Sequence, residues 1–194
     1  MPKMIRQFKR FLSTKLFISI EETRTHLNPI RPMHLFRHYF ISKFRAVPWP
    51  IHPTSWVSYP ENIKIGIDTS PGYAPGCYIQ GIGEIHIGDY SSIAANSAII
   101  SANHELLDPL KHKRGIVKIG RQCLISFGSV ILPNTTIGDY TIVRPNSVVE
   151  GDFSGGYCIL EGNPAKVVFK FPNEIRDRFI QLDHDHKYIG FKKV

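Results

Sequence analysis

A histidine stands where a regular β pattern gives way to a polar, basic tract. Residues 99–114 read IISANHELLDPLKHKR, and the tract opens with Asn103-His104-Glu105 and contains a second histidine, His112. Histidine has an unperturbed pKa of about 6.5, so it can accept and release a proton near neutral pH. A group of this kind can deprotonate a hydroxyl so that its oxygen attacks a carbonyl carbon. His104 is therefore a candidate general base.

The scaffold that must hold this histidine shows a six-residue period on both sides of the tract. Neither the 3.6-residue period of a helix nor the two-residue period of a strand explains it. A period of six predicts a solenoid of triangular coils, in which three hexads close one coil and the aliphatic side chains stack inside. The predicted coils are residues 87–104, 119–136 and 137–154, with less regular coils before them that contain Ile65, Ile79 and Ile85. The repeating positions are Ile87, Ile93, Ile99, Ile119, Ile125, Ile131, Ile137, Val143 and Val149.

The period is broken once, between the coil that ends on His104 and the coil that begins at Ile119. Residues 105–118 are therefore predicted to form a 14-residue loop that leaves the scaffold at a corner. The coils do not need this loop, and insertions of this length commonly serve a site or an interface. We expect the last coil residue, His104, to face outward at the base of the loop.

Composition and charge limit the possible partners. The chain has 194 residues, 42% of them hydrophobic, and a formal net charge of +8 that arises in residues 1–45. A basic arm predicts either an anionic contact, such as lipid headgroups or an acidic saccharide, or a solvated helix face; a nucleic-acid partner is not expected. No run approaches the roughly 20 apolar residues of a membrane span, and no cleavage site follows the N-terminus. The three cysteines are odd in number and widely spaced, which favours reduced core thiols in a cytoplasmic protein.

The two ends of the chain are predicted to be helical appendages. Residues 3–18 fit an amphipathic helix, a second helix is expected from Pro32 to about Arg45, and residues 47–60 are a Pro-rich connector. The arm either packs on the coils, which we favour, or docks on anionic lipid at the inner membrane face. The tail suggests a short helix followed by a segment in which His184 and His186 resemble a metal tract. Solvent exposure is the simpler reading of these two histidines, so no metal site is predicted. The expected division is 1–60, 61–168 and 169–194.

The hexads, the loop opening with a histidine and the segment EGNPAKVV (161–168) together resemble the hexapeptide-repeat acyltransferases. The resemblance covers about residues 60–170 and is strongest to galactoside, maltose, nodulation-factor and capsule or O-antigen polysaccharide O-acetyltransferases. It implies a mostly β fold, a left-handed parallel β-helix. It also implies a homotrimer with acetyl-CoA in the grooves between subunits and with active sites shared between neighbours.

Site residues follow from the resemblance position by position. It implies that His104 is the catalytic base. Acetyl transfer is expected to be direct, without an acyl-enzyme, because nothing in the sequence pairs a cysteine with a base. Many relatives have smaller residues at two of the acetyl-CoA-binding positions, which here read Ser126-Phe127 and Arg144-Pro145. The candidate acceptor-binding residues are Gln80, Asn103, Glu105 and His112. The candidate acetyl-CoA-binding residues are Ser126, Phe127, Arg144, Pro145, Asn163, Pro164 and Lys166.

The function expected from these features is acetyl transfer to a sugar hydroxyl of a bacterial surface polysaccharide or its precursor, whether free, nucleotide-linked or lipid-linked. The alternatives within the same fold are N-acetylation of an amino-sugar nucleotide and acetylation of an antibiotic. More remote alternatives are a γ-type zinc carbonic anhydrase, which needs three converging histidines, and a non-catalytic β-helix.

Overall fold

The computed structural model describes residues 18–36, 47–180 and 186–194. Residues 18–22 are helical, and helix α1 (Pro32–Phe36) begins at the residue where the sequence places a helix start. Residues 3–17 of the predicted first helix and 37–45 of the second lie outside the described part. The predictions that the N-terminal arm packs on the coils or docks on anionic lipid concern mainly these residues. None of the helices in the described ranges has both the length and the apolar character needed to cross a bilayer.

Short strands in the described residues form three five-stranded sheets. Sheet A contains β1 (Trp56–Ser58), β3 (Tyr78–Gln80), β6 (Ala98–Ile100), β11 (Val130–Ile131) and β14 (Val148–Val149). Sheet B contains β2 (Ile63–Ile65), β4 (Glu84–Ile87), β9 (Ile116–Ile119), β12 (Thr136–Ile137) and β15 (Asp152–Phe153). Sheet C contains β5 (Ser92–Ile93), β10 (Leu124–Ile125), β13 (Ile142–Val143), β16 (Cys158–Gly162) and β17 (Ala165–Lys170).

The remaining elements lie outside these three sheets. Two hairpins are formed by β7 (Ala102–His104) with β8 (His112–Arg114), and by β18 (Tyr188–Ile189) with β19 (Lys192–Lys193). A 3-10 helix spans Pro60–Asn62 and helix α2 spans Asn173–Ile180.

The regular part of the chain visits the three sheets in the repeating order B, C, A. Within each sheet the strands of successive coils are parallel, as in the pairing of Ile99 with Ile131 and of Ile125 with Val143. The exception is β17, the last strand of sheet C, which is antiparallel to β16. Backbone groups of each coil are thereby bonded to those of the coils on either side. The predicted fold, a left-handed parallel β-helix, is confirmed.

The aliphatic positions of the hexads form the core. All nine are buried, with exposures from 0% to 5%, and they belong to one continuous cluster. The corners use residues that tolerate a left-handed backbone: Asn96, Asn134 and Asn146 have φ of 58°, 61° and 58°. The three cysteines are also buried and free, as predicted for core thiols.

The structure corrects two details of the coil boundaries. Ile137 pairs with Phe153, so the coil predicted as 137–154 is two residues shorter than the regular repeat. Gly151, with a φ of 107°, lets the chain turn early at that corner. At the other end, β1 lies within the predicted connector and pairs with β3, so Trp56–Ser58 already belong to the β-helix.

The described N-terminal residues pack on the tail. Ile30 and Tyr188 form a small buried cluster, and Lys193 Nζ lies 2.7 Å from Glu22 Oε1. The expectation that His186 is solvent-exposed is wrong: its side chain is only 16% exposed, because it packs beside the buried carboxylate of Asp68.

Candidate functional site

The interruption of the hexads is a β-hairpin that rises from the corner between sheets A and B. Ala102 pairs with Arg114, Asn103 with Lys113, and His104 with His112. Ile87 and Ile119 are in register across the interruption, so the extra length is 14 residues, as predicted.

The predicted boundaries of this loop, 105–118, are shifted. Ile116–Ile119 form β9 of sheet B, and Val117 is a fully buried core residue. The chain therefore leaves the coil at Ala102, and His104 is the third residue of the rising strand. It lies on the hairpin and not on the coil itself.

His104 has a defined tautomer. Its side chain is on the exposed surface of the hairpin, and Nδ1 lies 2.6 Å from the carbonyl oxygen of Pro109. A carbonyl oxygen can only accept a hydrogen bond, so Nδ1 carries a proton, and in the neutral imidazole Nε2 then keeps its lone pair. The lone pair on Nε2 is what a general base requires.

The hairpin tip is closed by local contacts that fix the carbonyl partner of His104. The N–H of Glu105 donates to the carbonyl of Lys111 at 3.0 Å, and the N–H of Lys111 donates to the carbonyl of Asp108 at 2.9 Å. The Lys111 ammonium lies 3.1 Å from the Asp108 carboxylate. These bonds hold the Pro109 carbonyl within hydrogen-bond distance of His104 Nδ1.

His112 lies directly opposite His104 across the hairpin. The two ring centroids are 4.4 Å apart with an interplanar angle of 40°. The His112 ring thus covers one side of the candidate base and limits how the His104 ring can tilt. Asn103, Glu105 and His112 are exposed and lie within the same hairpin as His104.

Gln80 supports the hairpin from the coil below. Its Oε1 accepts a hydrogen bond from the N–H of Ala102 at 3.0 Å, at the point where the hairpin strand begins. The hydroxyl of Ser101 donates to the Gln80 carbonyl at 2.6 Å and accepts from the N–H of Gly83 at 2.9 Å. Gln80 is a predicted acceptor-binding residue, and in the structure its side-chain oxygen holds the start of the hairpin. Ser101 was not singled out in the sequence, where it is one of many small polar corner residues.

The candidate acetyl-CoA residues stack along a different corner, between sheets C and A. The N–H of Ser126 donates to the Val143 carbonyl at 3.0 Å, and that of Asn146 donates to the Phe127 carbonyl at 3.0 Å. Successive coils therefore place Ser126-Phe127 beside Arg144-Pro145. The Phe127 side chain is 50% exposed on this edge.

Charge on the same edge is partly neutralised. Arg144 Nη1 lies 2.7 Å from Glu161 Oε2, and both side chains are about half exposed. Glu161 is paired across the β16–β17 hairpin with Lys166, which is also exposed. The cis Asn163–Pro164 peptide forms the turn of that hairpin. Lys166 therefore carries an exposed positive charge in the β16–β17 hairpin, at the last coil of this edge.

One chain does not bring the two groups of residues together. The hairpin with His104 follows the C-terminal end of β6 in sheet A. Ser126 and Phe127 instead precede the N-terminal end of β11 in the same sheet. One side of the coil is a hexad, and at about 3.3 Å per residue it spans roughly 20 Å. Within one chain the two groups therefore lie at opposite ends of the sheet A strands.

The coils are similar in sequence to known bacterial proteins. Residues 116–151 match the family model described as bacterial transferase hexapeptide (six repeats). The putative colanic acid biosynthesis acetyltransferase WcaF of Escherichia coli (strain K12) is 28% identical over 119 residues, 61% of this chain and 64% of that protein. Nodulation protein L of Rhizobium meliloti (strain 1021) is 34% identical over 122 residues, 60% of this chain and 64% of that protein. The chain thus matches slightly less than two thirds of the length of these relatives.

Solved structures agree in fold. A maltose O-acetyltransferase from Clostridium difficile 630 superposes with a TM-score of 0.62 at 24% identity, over 84% of this chain and 89% of that one. A galactoside acetyltransferase in complex with coenzyme A superposes with a TM-score of 0.62 at 21% identity, over 91% and 86%. The resemblance inferred from the hexads is therefore confirmed.

Proposed function

We propose that this chain, whose residues 116–151 match the bacterial transferase hexapeptide family model, is an acetyl-CoA-dependent O-acetyltransferase. The acceptor is a sugar hydroxyl of a bacterial surface polysaccharide or of its precursor. The observation that carries the proposal is the exposed His104, whose Nδ1 is held by the Pro109 carbonyl so that Nε2 is free to accept a proton. The name of the relative WcaF supports a polysaccharide as the acceptor class.

In the proposed reaction His104 acts as base and then as acid. Nε2 takes the proton of the acceptor hydroxyl while the hydroxyl oxygen attacks the thioester carbonyl carbon. When the carbon–sulfur bond breaks, the same nitrogen returns the proton to the departing sulfur of CoA. The hydrogen bond to Pro109 holds the ring in place and stabilises the imidazolium that forms between these steps.

Direct transfer is favoured over a cysteine-linked acyl-enzyme. The thiols of Cys77, Cys123 and Cys158 are 1–3% exposed. Desolvation raises the pKa of all three, that of Cys123 to about 12. A thiol that is buried and protonated cannot serve as a nucleophile at neutral pH.

The site is proposed to form between copies of the chain in a homotrimer. The roughly 20 Å between the hairpin and the Ser126-Phe127 edge supports this arrangement. At the hairpin tip Leu106, Leu107 and Leu110 are 101%, 99% and 90% exposed, which is costly in water unless another surface covers them. We place the hairpin of one subunit over the sheet C–sheet A edge of its neighbour.

The remaining candidates then have distinct tasks in the proposed site. Ser126, Phe127 and Pro145 line the wall along which the pantetheine arm lies, and Asn163-Pro164 closes it. Lys166 supplies charge for a CoA phosphate, whereas Arg144 is engaged by Glu161. Asn103, Glu105 and His112 surround the hydroxyl that faces His104.

The test is CoA thiol release from acetyl-CoA with a panel of free sugars, nucleotide sugars and lipid-linked oligosaccharides. Wild type, His104→Ala and the control His52→Ala are compared, because His52 lies in the first coil away from the hairpin. We expect acceptor-dependent release that falls at least ~100-fold in His104→Ala and stays within about twofold of wild type in His52→Ala. Equal release by His104→Ala would reject the mechanism, and failure to bind CoA would reject the function.

A further inference from the structure

A second group of chemically capable side chains lies at the start of the β-helix. His26 follows the helical residues 18–22, Asp68 lies in the turn after β2, and His186 precedes β18. One ligand-type atom from each of the three side chains lies within 4.8 Å of the other two. Three segments distant in sequence therefore place two imidazoles and one carboxylate together.

The carboxylate at the centre of this cluster is buried and oriented. The Asp68 side chain is 1% exposed, and its two oxygens accept hydrogen bonds from the N–H groups of Leu27 at 2.8 Å and Asn28 at 3.0 Å. Each carboxylate oxygen retains lone-pair capacity beyond that one bond. The carboxylate is thus fixed in position without being saturated.

Both imidazoles present nitrogen to this carboxylate. His186 Nδ1 lies 2.8 Å from Asp68 Oδ2, and His26 Nδ1 lies 3.9 Å from Asp68 Oδ1. The two rings are stacked, with centroids 4.0 Å apart and planes at 25°. The His26 side chain is only 4% exposed.

A shared proton explains only part of this arrangement. A proton can bridge His186 and Asp68 at 2.8 Å, but His26 at 3.9 Å is beyond hydrogen-bond distance of its nearest carboxylate oxygen. A divalent ion with nitrogen and oxygen ligands at about 2.0–2.2 Å would engage all three groups after side-chain shifts of about 1 Å. On its other side His26 helps to line a cavity of about 160 Å³ together with Glu22, Lys187, Tyr188 and Lys193.

We propose that His26, Asp68 and His186 bind a divalent transition metal, and that this metal is zinc. Two imidazoles and a carboxylate suit zinc, whereas calcium and magnesium prefer sites made of oxygen alone. The ion would tie the N-terminal segment and the C-terminal hairpin to the first coil, so its role is structural. It is separate from the acetyl-transfer site, which needs no metal.

The test uses the full chain after treatment with a chelator and removal of that chelator. Zinc chloride is titrated against wild type, His26→Gln, His186→Gln and the control His52→Gln, and binding is measured by competition with a chromogenic chelator. We expect one zinc ion per chain in wild type and the control, and at least ~100-fold weaker binding when either ligand histidine is replaced. At zinc concentrations about 100 times Kd, Tm should rise by roughly 5–10 °C.

Two further measurements keep the proposal open to refutation if a variant does not fold. Cobalt(II) added to metal-free wild type should give visible absorption bands of a nitrogen-ligated ion that saturate at one ion per chain. The variant His184→Gln, at a residue outside the described part, should bind zinc as wild type does. Absence of the cobalt bands, unchanged binding in His26→Gln and His186→Gln, or loss of binding in His184→Gln would each overturn the proposal.

Discussion

Replacing Gln80 by Met should loosen the hairpin that carries His104. Gln80 Oε1 accepts the hydrogen bond of the Ala102 N–H, and Ala102 is only 2% exposed. Methionine has nearly the same shape but offers no comparable acceptor, so a buried N–H would lose its partner. A buried donor left without a partner costs about 1–3 kcal/mol.

The cost should be concentrated in the hairpin, because the coils on either side keep their own backbone bonds. Opening of residues 102–114 should become about 5- to 150-fold more frequent, the ratio that corresponds to 1–3 kcal/mol. Hydrogen exchange of the backbone amides measures this directly, and CoA release should fall as His104 loses its fixed position. Global unfolding in urea gives the total cost.

Gln80→Glu is the matched control. It keeps oxygen acceptors at the same distance along the side chain, so exchange in the hairpin should stay close to that of wild type. The reasoning is refuted if Gln80→Met leaves exchange in 102–114 unchanged, or if exchange increases equally throughout the coils.

Three further changes test the scaffold. Ile131→Ala removes a fully buried member of the inner stack and should lower the free energy of unfolding by about 2–5 kcal/mol. Leu124→Ala, at a side chain that is 41% exposed, should lower it clearly less. Urea denaturation compares the two variants, and equal losses would contradict the assigned core. Gly83→Ala would place a methyl group against backbone oxygens of the adjacent coil and should lower the free energy of unfolding by about 1–3 kcal/mol or more. In the control Gly155→Ala the added methyl group meets nothing within 4 Å. Thermal unfolding compares the two variants, and matching Tm values would refute the packing at Gly83. Because burial raises the pKa of Cys123 to about 12, its thiolate is scarce at pH 8. Alkylation of Cys123 at pH 8 should therefore be more than ~1,000-fold slower in the native protein than in the unfolded chain. Peptide mass spectrometry measures both rates, and comparable rates would contradict the burial of this thiol.

The repeat made most of the scaffold predictable. Every aliphatic position of the hexads is buried, because a six-residue period leaves one inward side chain on each side of the coil. The shortening at Phe153 could not be foreseen from the period, since it depends on the backbone at Gly151. The strand Trp56–Ser58 was missed because prolines surround it and the hexad frame does not extend to it.

The site was only partly predictable. The position of His104 at the interruption follows from the sequence, but its partner Pro109 depends on how the hairpin tip folds. The bond from Ala102 to Gln80 joins residues in different coils, so no local pattern reveals it. The cluster of His26, Asp68 and His186 joins three distant segments. In the sequence His186 resembled part of a metal tract with its neighbour His184, but solvent exposure was the simpler interpretation, and nothing local pointed to His26 or Asp68.

The central claim is that His104 of one subunit acts on acetyl-CoA held by the Ser126-Phe127 edge of another. Its most direct test mixes two inactive variants, His104→Ala and Phe127→Glu, whose added carboxylate would repel CoA. The two are unfolded together, refolded at equal concentration and assayed with the acceptor that wild type uses fastest. A shared site predicts recovery of about a quarter of wild-type activity, because that fraction of interfaces combines an intact His104 with an intact edge. Mixed protein as inactive as either variant alone would contradict the claim.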